Sequence, residues 1–139
     1  MAGESIIIYS TTVNVVTSGA SVTDTNFSAT PASSVVSNFP LADAVLSGTF
    51  AVAPASDNVV HLYRRDMNIK STNDAPVPSA SNKNIYVGSF KLSTDTTQTI
   101  NLPAIPLSAD CEFYIENGSG QTLNSTWTLD IKPFGFGVA

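Results

Sequence analysis

Apolar and polar residues alternate with a period of two along most of this chain, the rhythm of strands with one dry face and one wet face. The clearest stretch is 111–132. Cys111, Phe113 and Ile115 alternate there with Glu112, Tyr114 and Glu116. After Gly118-Ser119-Gly120-Gln121 the rhythm resumes, with Trp127, Leu129 and Ile131 against Thr128, Asp130 and Lys132. Asn117-Gly118 tolerates the φ > 0 of a tight reversal, so the pattern predicts a β-hairpin. Further strands are predicted over 5–16 (one long strand or two), 44–53, 58–65, 84–92 and 96–102, with weaker signals at 21–27 and 33–39. In 44–53, Leu46, Gly48, Phe50 and Val52 share a side; in 84–92, Ile85 and Val87 oppose Tyr86, Phe90 and Leu92. Val59-Val60-His61-Leu62-Tyr63 is apolar on both faces, which suggests a central strand. The best helical candidate, 40–46, is only about two turns long and runs into Gly48.

About eight short strands at intervals near 8–12 residues, separated by turns rich in Gly, Pro, Ser and Asn, read as an antiparallel sandwich or barrel. The 139 residues fit one all-β domain, large enough to bury a core without disulfides or metal. No linker or internal repeat divides 1–139. Two segments exceed what such a domain needs. The loop 66–82, DMNIKSTNDAPVPSASN, is longer than a hairpin requires, and Pro76 and Pro78 favour an ordered, extended arm. The tail Pro133-Phe134-Gly135-Phe136-Gly137 carries two aromatics that would be wasted in solvent, so they pack on this domain or on a neighbour.

Charge narrows the partners. Charged residues make up only 12% of the chain and the net charge is -5, whereas phosphate binding needs a cationic face; nucleic acid is not expected. No apolar run approaches the roughly 20 residues of a membrane span. Ile6-Ile7-Ile8-Tyr9 is too short for a signal-peptide core and no basic segment precedes it, so a soluble, unprocessed chain is expected. The glycosylation patterns at Asn26, Asn117 and Asn124 read as chance matches in so Asn-, Ser- and Thr-rich a chain.

Candidate chemistry is sparse. His61, the sole histidine, sits mid-strand among apolar residues, where a structural role is expected, and no Gly-x-Ser-x-Gly elbow is present. Glu112 and Glu116 share a strand face but lie roughly 13 Å apart at about 3.3 Å per residue, too far for a glycosidase pair. The surroundings of Asp74 lack the acid density of a calcium loop. Cys111, the only cysteine, excludes an internal disulfide and reads as a small buried hydrophobe between two acids. Neither an enzyme nor a cofactor or metal is expected. Arg64-Arg65-Asp66 is the one charge cluster, with the arginines on opposite faces. It is either a strand-end pair capped by Asp66 or a bidentate anchor for a carboxylate on another chain.

The residues from Tyr63 to Phe134 resemble a known group. Arg64-Arg65-Asp66-Met67-Asn68-Ile69, Asn73-Asp74-Ala75-Pro76, Tyr86-Val87-Gly88-Ser89-Phe90, Phe113-Tyr114-Ile115-Glu116-Asn117 and Trp127-Thr128-Leu129-Asp130-Ile131-Lys132-Pro133 are similar to small tailed-bacteriophage capsid decoration, or cement, proteins. The resemblance implies a jelly-roll-like β-sandwich, made in the host cytoplasm, that binds the major capsid protein on the outside of the head and locks capsomers together. On that reading the interface falls to the N-terminal strand (Ile6, Ile8), the loop (Arg64, Arg65, Asp66, Asn68, Asp74, Pro76) and the tail (Phe134, Phe136). Symmetric self-association, as a homodimer or higher assembly, is expected of such a structural protein, with 5–16 as an added or swapped strand. The alternative is a carbohydrate- or receptor-binding β-sandwich of a phage tail or fibre, with Tyr114 and Tyr86 as its platform.

Overall fold

The computed structural model describes residues 5–68, 74–83 and 85–138. They form nine strands: β1 (Ser5–Tyr9), β2 (Val13–Gly19), β3 (Val35–Val36), β4 (Leu41–Thr49), β5 (Val59–Asp66), β6 (Ile85–Lys91), β7 (Thr97–Pro106), β8 (Asp110–Gly118) and β9 (Trp127–Val138). β2-β9-β4-β7 make one sheet and β3-β8-β5-β6 the other, and each of these neighbour pairs is antiparallel. That interleaving, in which the two halves of the chain wind round each other, is the nested Greek-key order of a jelly roll. β1 is an addition, continuing the edge occupied by β2 along the far end of β9.

The core is what the alternation promised. Ala42, Ala44 and Leu46 of β4, with Trp127, Leu129 and Ile131 of β9, face Val60, Leu62, Phe90, Phe113 and Ile115 of the opposite sheet, all buried. Each large side chain removed from water this way contributes about 1.5–3 kcal/mol. Cys111 lies in the same core, and burial pushes its thiol pKa up. The outer face of the larger sheet is polar, with hydroxyl pairs Ser47–Thr99 and Thr49–Thr97 bridging β4 and β7 at 3.0 Å.

Several expectations need correction. The stretch 111–132 is not a hairpin, because β8 and β9 lie in different sheets. Their dry faces look at each other across the core, and 119–126 crosses between the layers, with Leu123 buried and bridged to Val22 and Phe50. Asn117 organises that crossing: its amide donates to the carbonyls of Val22 and Gln121, and its Oδ1 accepts from the Ser119 amide. Positive φ falls on Gly120 and Thr126, not on Asn117-Gly118. Residues 40–46 enter strand β4 rather than a helix, and 5–16 splits into two strands. β4 ends at Thr49, so Val52 is exposed instead of sharing a buried side with Leu46. The signals at 21–27 give only isolated bridges at Val22 and Phe27, and 33–39 gives the two-residue β3.

β6 carries the correction with the largest consequence. A register shift against β5 between Leu62 and Tyr63 makes Tyr86 the partner of Tyr63 and Gly88 that of Leu62, leaving Val87 as the extra residue. Strict alternation would put Tyr86 with Phe90. The bulge sends Phe90 into the core and turns Tyr86 outwards, 55% exposed.

Candidate functional site

The tail and the N-terminal strand form a single structure. β9 pairs with β4 only as far as Phe134, opposite Leu41, and the rest of β9 pairs with β1 alone: Ile6 with Gly137, Ile7 with Phe136, Ile8 with Gly135, Tyr9 with Phe134. The result is a two-stranded ribbon running past the end of β4. Its sorting is inverted relative to the body. Ile6, Ile7, Ile8, Tyr9 and Phe136 are all substantially exposed, Ile7 at 52% and Phe136 at 65%. Tyr9 leans on Phe134, with ring centres 5.5 Å apart, and Phe134 meets Phe136 edge-on at 6.3 Å. The Lys132 ammonium lies 4.8 Å from the centre of the Tyr9 ring.

The glycines between the aromatics explain how the ribbon holds together. A Cβ on Gly135 would lie 2.6 Å from the Phe39 ring, and one on Gly137 would lie 2.1 Å from the tip of Ile8. Phe39 and Ile8 therefore lie directly across the β9 backbone, on the side opposite Phe134 and Phe136. Ile6, Ile8, Phe134 and Phe136, named separately from the sequence, thus belong to one ribbon, with Ile6 and Ile8 on the face opposite Phe134 and Phe136. Against expectation Phe134 is buried, covered by the Tyr9 and Phe136 rings, and is not available as a contact. Sequence reasoning missed Ile7 and Tyr9, although a four-residue apolar run in a strand must put apolar groups on both faces.

The charged candidates behave differently. Arg64 Nε donates to Asp66 Oδ1 at 2.8 Å and its Nη1 to the Pro106 carbonyl at 2.9 Å, while the Ser108 hydroxyl donates to Asp66 at 2.7 Å. Arg65, on the opposite face, donates to Glu112 at 2.8 Å and to the Ala75 carbonyl at 2.6 Å. Burial, the largest single influence, would lower the Arg65 pKa, but the Glu112 hydrogen bond and the neighbouring Tyr114 and Glu112 groups together raise it. Asn68, at φ 52°, donates its backbone amide to Asp74 Oδ1 at 2.8 Å and its side-chain amide to Asp110 Oδ2 at 2.6 Å. Of the two readings of the arginines, the strand-end pair with Asp66 is the arrangement present. Pro76 is exposed and Pro78 buried, so the described part of the loop, 74–83, lies against the body; Ile69 and Asn73 lie outside the described residues.

This network and the ribbon share one end of the sandwich. Leu41 stands between Phe134 and Pro106 in register, and Pro106 accepts from Arg64.

A second region lies on the outer face of the smaller sheet. His61, Tyr63 and Tyr86 form mutual edge-on ring contacts at 5.7–6.4 Å, and Phe27 meets Tyr63 at 5.6 Å. The Tyr63 hydroxyl donates to Glu116 at 3.1 Å. Burial, then that bond, pushes its pKa up to about 12. Ser89, His61 and Glu116 stand in a row across β6, β5 and β8, with Ser89 Oγ 2.7 Å from His61 Nδ1. The Glu116 carboxylate, however, engages Tyr63 and Lys83, the latter at 3.5 Å, whereas a triad needs it on the imidazole. His61 is thus held by Ser89 and stacked rings, as a structural histidine would be.

Tyr114, expected on a wet face, is fully buried, its hydroxyl donating to Glu112 at 3.0 Å. The reason is the connection between β2 and β3. Ser28 bonds Ile115 through both its amide and its hydroxyl, Asn26 accepts from Asn117, and Thr30 reaches the Tyr114 hydroxyl. Tyr114 is therefore no platform for a ligand, and of the pair only Tyr86 remains accessible.

No protein-family model and no curated protein sequence matches this chain. Among solved structures it is similar to a carbohydrate-binding module, CBM36, in complex with calcium and xylotriose, at 14% identity and a TM-score of 0.49, over 90% of this chain and 99% of that one.

Proposed function

We propose that this chain is a structural virion protein: a decoration, or cement, protein that sits on the outer surface of a tailed-bacteriophage head, contacts the major capsid protein and stabilises the joints between capsomers. The observation that carries this reading is the ribbon, where Ile6, Ile7, Ile8, Tyr9 and Phe136 leave the body and face outwards. Aromatic and branched side chains on a short rigid projection suit a contact that must find a pocket or groove on another protein. Burying one half-exposed side chain of this kind contributes about 1 kcal/mol, and a shell repeats the contact many times. The body supports the ribbon: its charged groups at that end are tied to one another, which fixes the ribbon's base. The resemblance of 63–134 to decoration proteins points the same way.

The test is co-sedimentation with heads of the phage that carries the gene, stripped of their native decoration. Saturable binding at a fixed ratio to the major capsid protein is expected, weakened about tenfold, or about 1.4 kcal/mol, by Phe136→Ser. Absence of saturable binding by the unmodified protein would refute the proposal.

A second reading, binding of carbohydrate, is favoured by one observation, the bulge that exposes Tyr86 beside His61 and Tyr63. Aromatic faces flanked by hydrogen-bonding groups are suited to sugar rings. Glycan-array binding that disappears in Tyr86→Ala would replace the first reading with this one.

A further inference from the structure

Among the described residues, the strand edges of this sandwich are protected, with one exception. Exposed edges invite pairing with other chains, and stable proteins blunt them with prolines, lysines, bulges, short strands or covering loops. β7 carries Pro103 and Pro106, with Ala104 between them at φ 55°. β6 is bulged and ends on Lys91. β3 is two residues long. β2 is interrupted twice in register, and the Val15 carbonyl is taken by the amides of Ala32 and Ser33. β1 has none of these devices. Its five residues, Ser-Ile-Ile-Ile-Tyr, pair with β9 in unbroken register, carry no charge and no proline, and have no strand on their other side among the described residues.

We infer that β1 is a self-pairing edge, and that two copies of this chain join by antiparallel β1–β1 addition about a two-fold axis through Ile7. The sequence of the strand argues for a second copy over an unrelated partner. With Ile7 opposite Ile7 of the second copy, Ile6 falls opposite Ile8 and Ser5 opposite Tyr9. Every cross-strand pair is then apolar or neutral, and β-branched pairs of this kind are favourable neighbours. Only the residue on the axis meets its own copy, so a charge there would face a like charge; here that residue is Ile7, and the strand carries no charge. The larger sheets of the two copies merge into one, and the Ile7–Phe136 faces of both ribbons lie side by side as a single apolar surface. Each copy carries a net charge of -5, so added salt strengthens the association instead of weakening it.

The inference does not depend on the capsid reading, and its test needs no capsid. Sedimentation equilibrium of the full chain is expected to show a monomer–dimer equilibrium that shifts to monomer in Ile7→Lys, which sets two ammonium groups opposite each other. Register is read by cross-linking. Ile7→Cys is expected to give a disulfide-linked dimer under mild oxidation. Ile6→Cys and Ile8→Cys should link efficiently only when mixed, and the unmodified protein should stay unlinked because Cys111 is buried. A monomer throughout the concentration series, a dimer unmoved by Ile7→Lys in a variant with an unchanged circular dichroism spectrum, or efficient linking of Ile6→Cys to itself would each overturn it.

Discussion

The two halves of strand β9 obey opposite rules. From Trp127 to Ile131 the strand sends Trp127, Leu129 and Ile131 into the core and keeps Thr128 and Asp130 in water. Past Lys132 the outward positions become Phe134, which is buried against Tyr9 and Phe136, and Phe136, which stays exposed, while the inward ones become Gly135 and Gly137. The backbone is continuous, and β4 accompanies the first half but not the second. Where the body has a second layer to bury its apolar side, the ribbon has β1, itself apolar on both faces, and the Phe39 ring against Gly135. The difference separates two uses of the same residues: in the body they hold the fold, and in the ribbon they are left for something outside it.

Substitutions should break the two regions unequally. Phe113→Ala, at a fully buried position in the body, is expected to cost about 3–5 kcal/mol, read as a fall in the urea midpoint. Two glycines sharpen the contrast, because a Cβ on either would come within 2.1 Å of a side-chain atom. At Gly19 that atom belongs to the buried Trp127 indole, which is also held by its hydrogen bond to the Ala20 carbonyl. Gly19→Ala is therefore expected to cost about 1–3 kcal/mol through overpacking. At Gly137 the atom is the free tip of the exposed Ile8, which can rotate away, so Gly137→Ala should cost less than about 0.5 kcal/mol. Equal losses in the two variants would erase the distinction.

The body also has an alkaline limit. Tyr63 rises from 10.0 to about 12 through burial and its bond to Glu116. Below pH 10 neither the folded nor the unfolded phenol is ionised, and the full contribution is present. Between pH 10 and about 12 the unfolded form loses its proton first, so stability falls as pH rises. Tyr63→Phe is expected to flatten that part of the stability profile and to remove the latest-titrating component of tyrosinate absorbance at 295 nm. Smallest of all is the expected stability change in Phe136→Ser, within about 0.5 kcal/mol.

Much of the body was legible in the sequence. Period-two alternation identified the dry residues of β8 and β9 correctly, because facing a core is a property of each strand by itself, and the two apolar faces of 59–63 marked β5 as the interior strand it is. Alternation misassigned the partner of β8, since two strands with matching dry faces can lie side by side or stand across the core from each other. Nothing local distinguishes the two. Tyr86 and Tyr114 were misplaced for tertiary reasons of the same kind: a one-residue bulge reversed the first, and a distant loop covered the second. At the candidate site, Phe134 and Phe136 drew notice as aromatics between glycines, but the pairing that joins them to Ile6 and Ile8 spans nearly the whole chain. The Arg64–Asp66 pair was readable because its members are two residues apart, whereas the Arg65–Glu112 bond was not.

The central claim is that the outward-facing ribbon, and not the sandwich body, makes the functional contact. The most direct measurement is binding of two equally stable variants, Phe136→Ser and Tyr86→Ala, to stripped phage heads by quantitative co-sedimentation. The account predicts that Phe136→Ser loses most of its binding while Tyr86→Ala binds as the unmodified protein does. Retained binding by Phe136→Ser together with loss in Tyr86→Ala would contradict it.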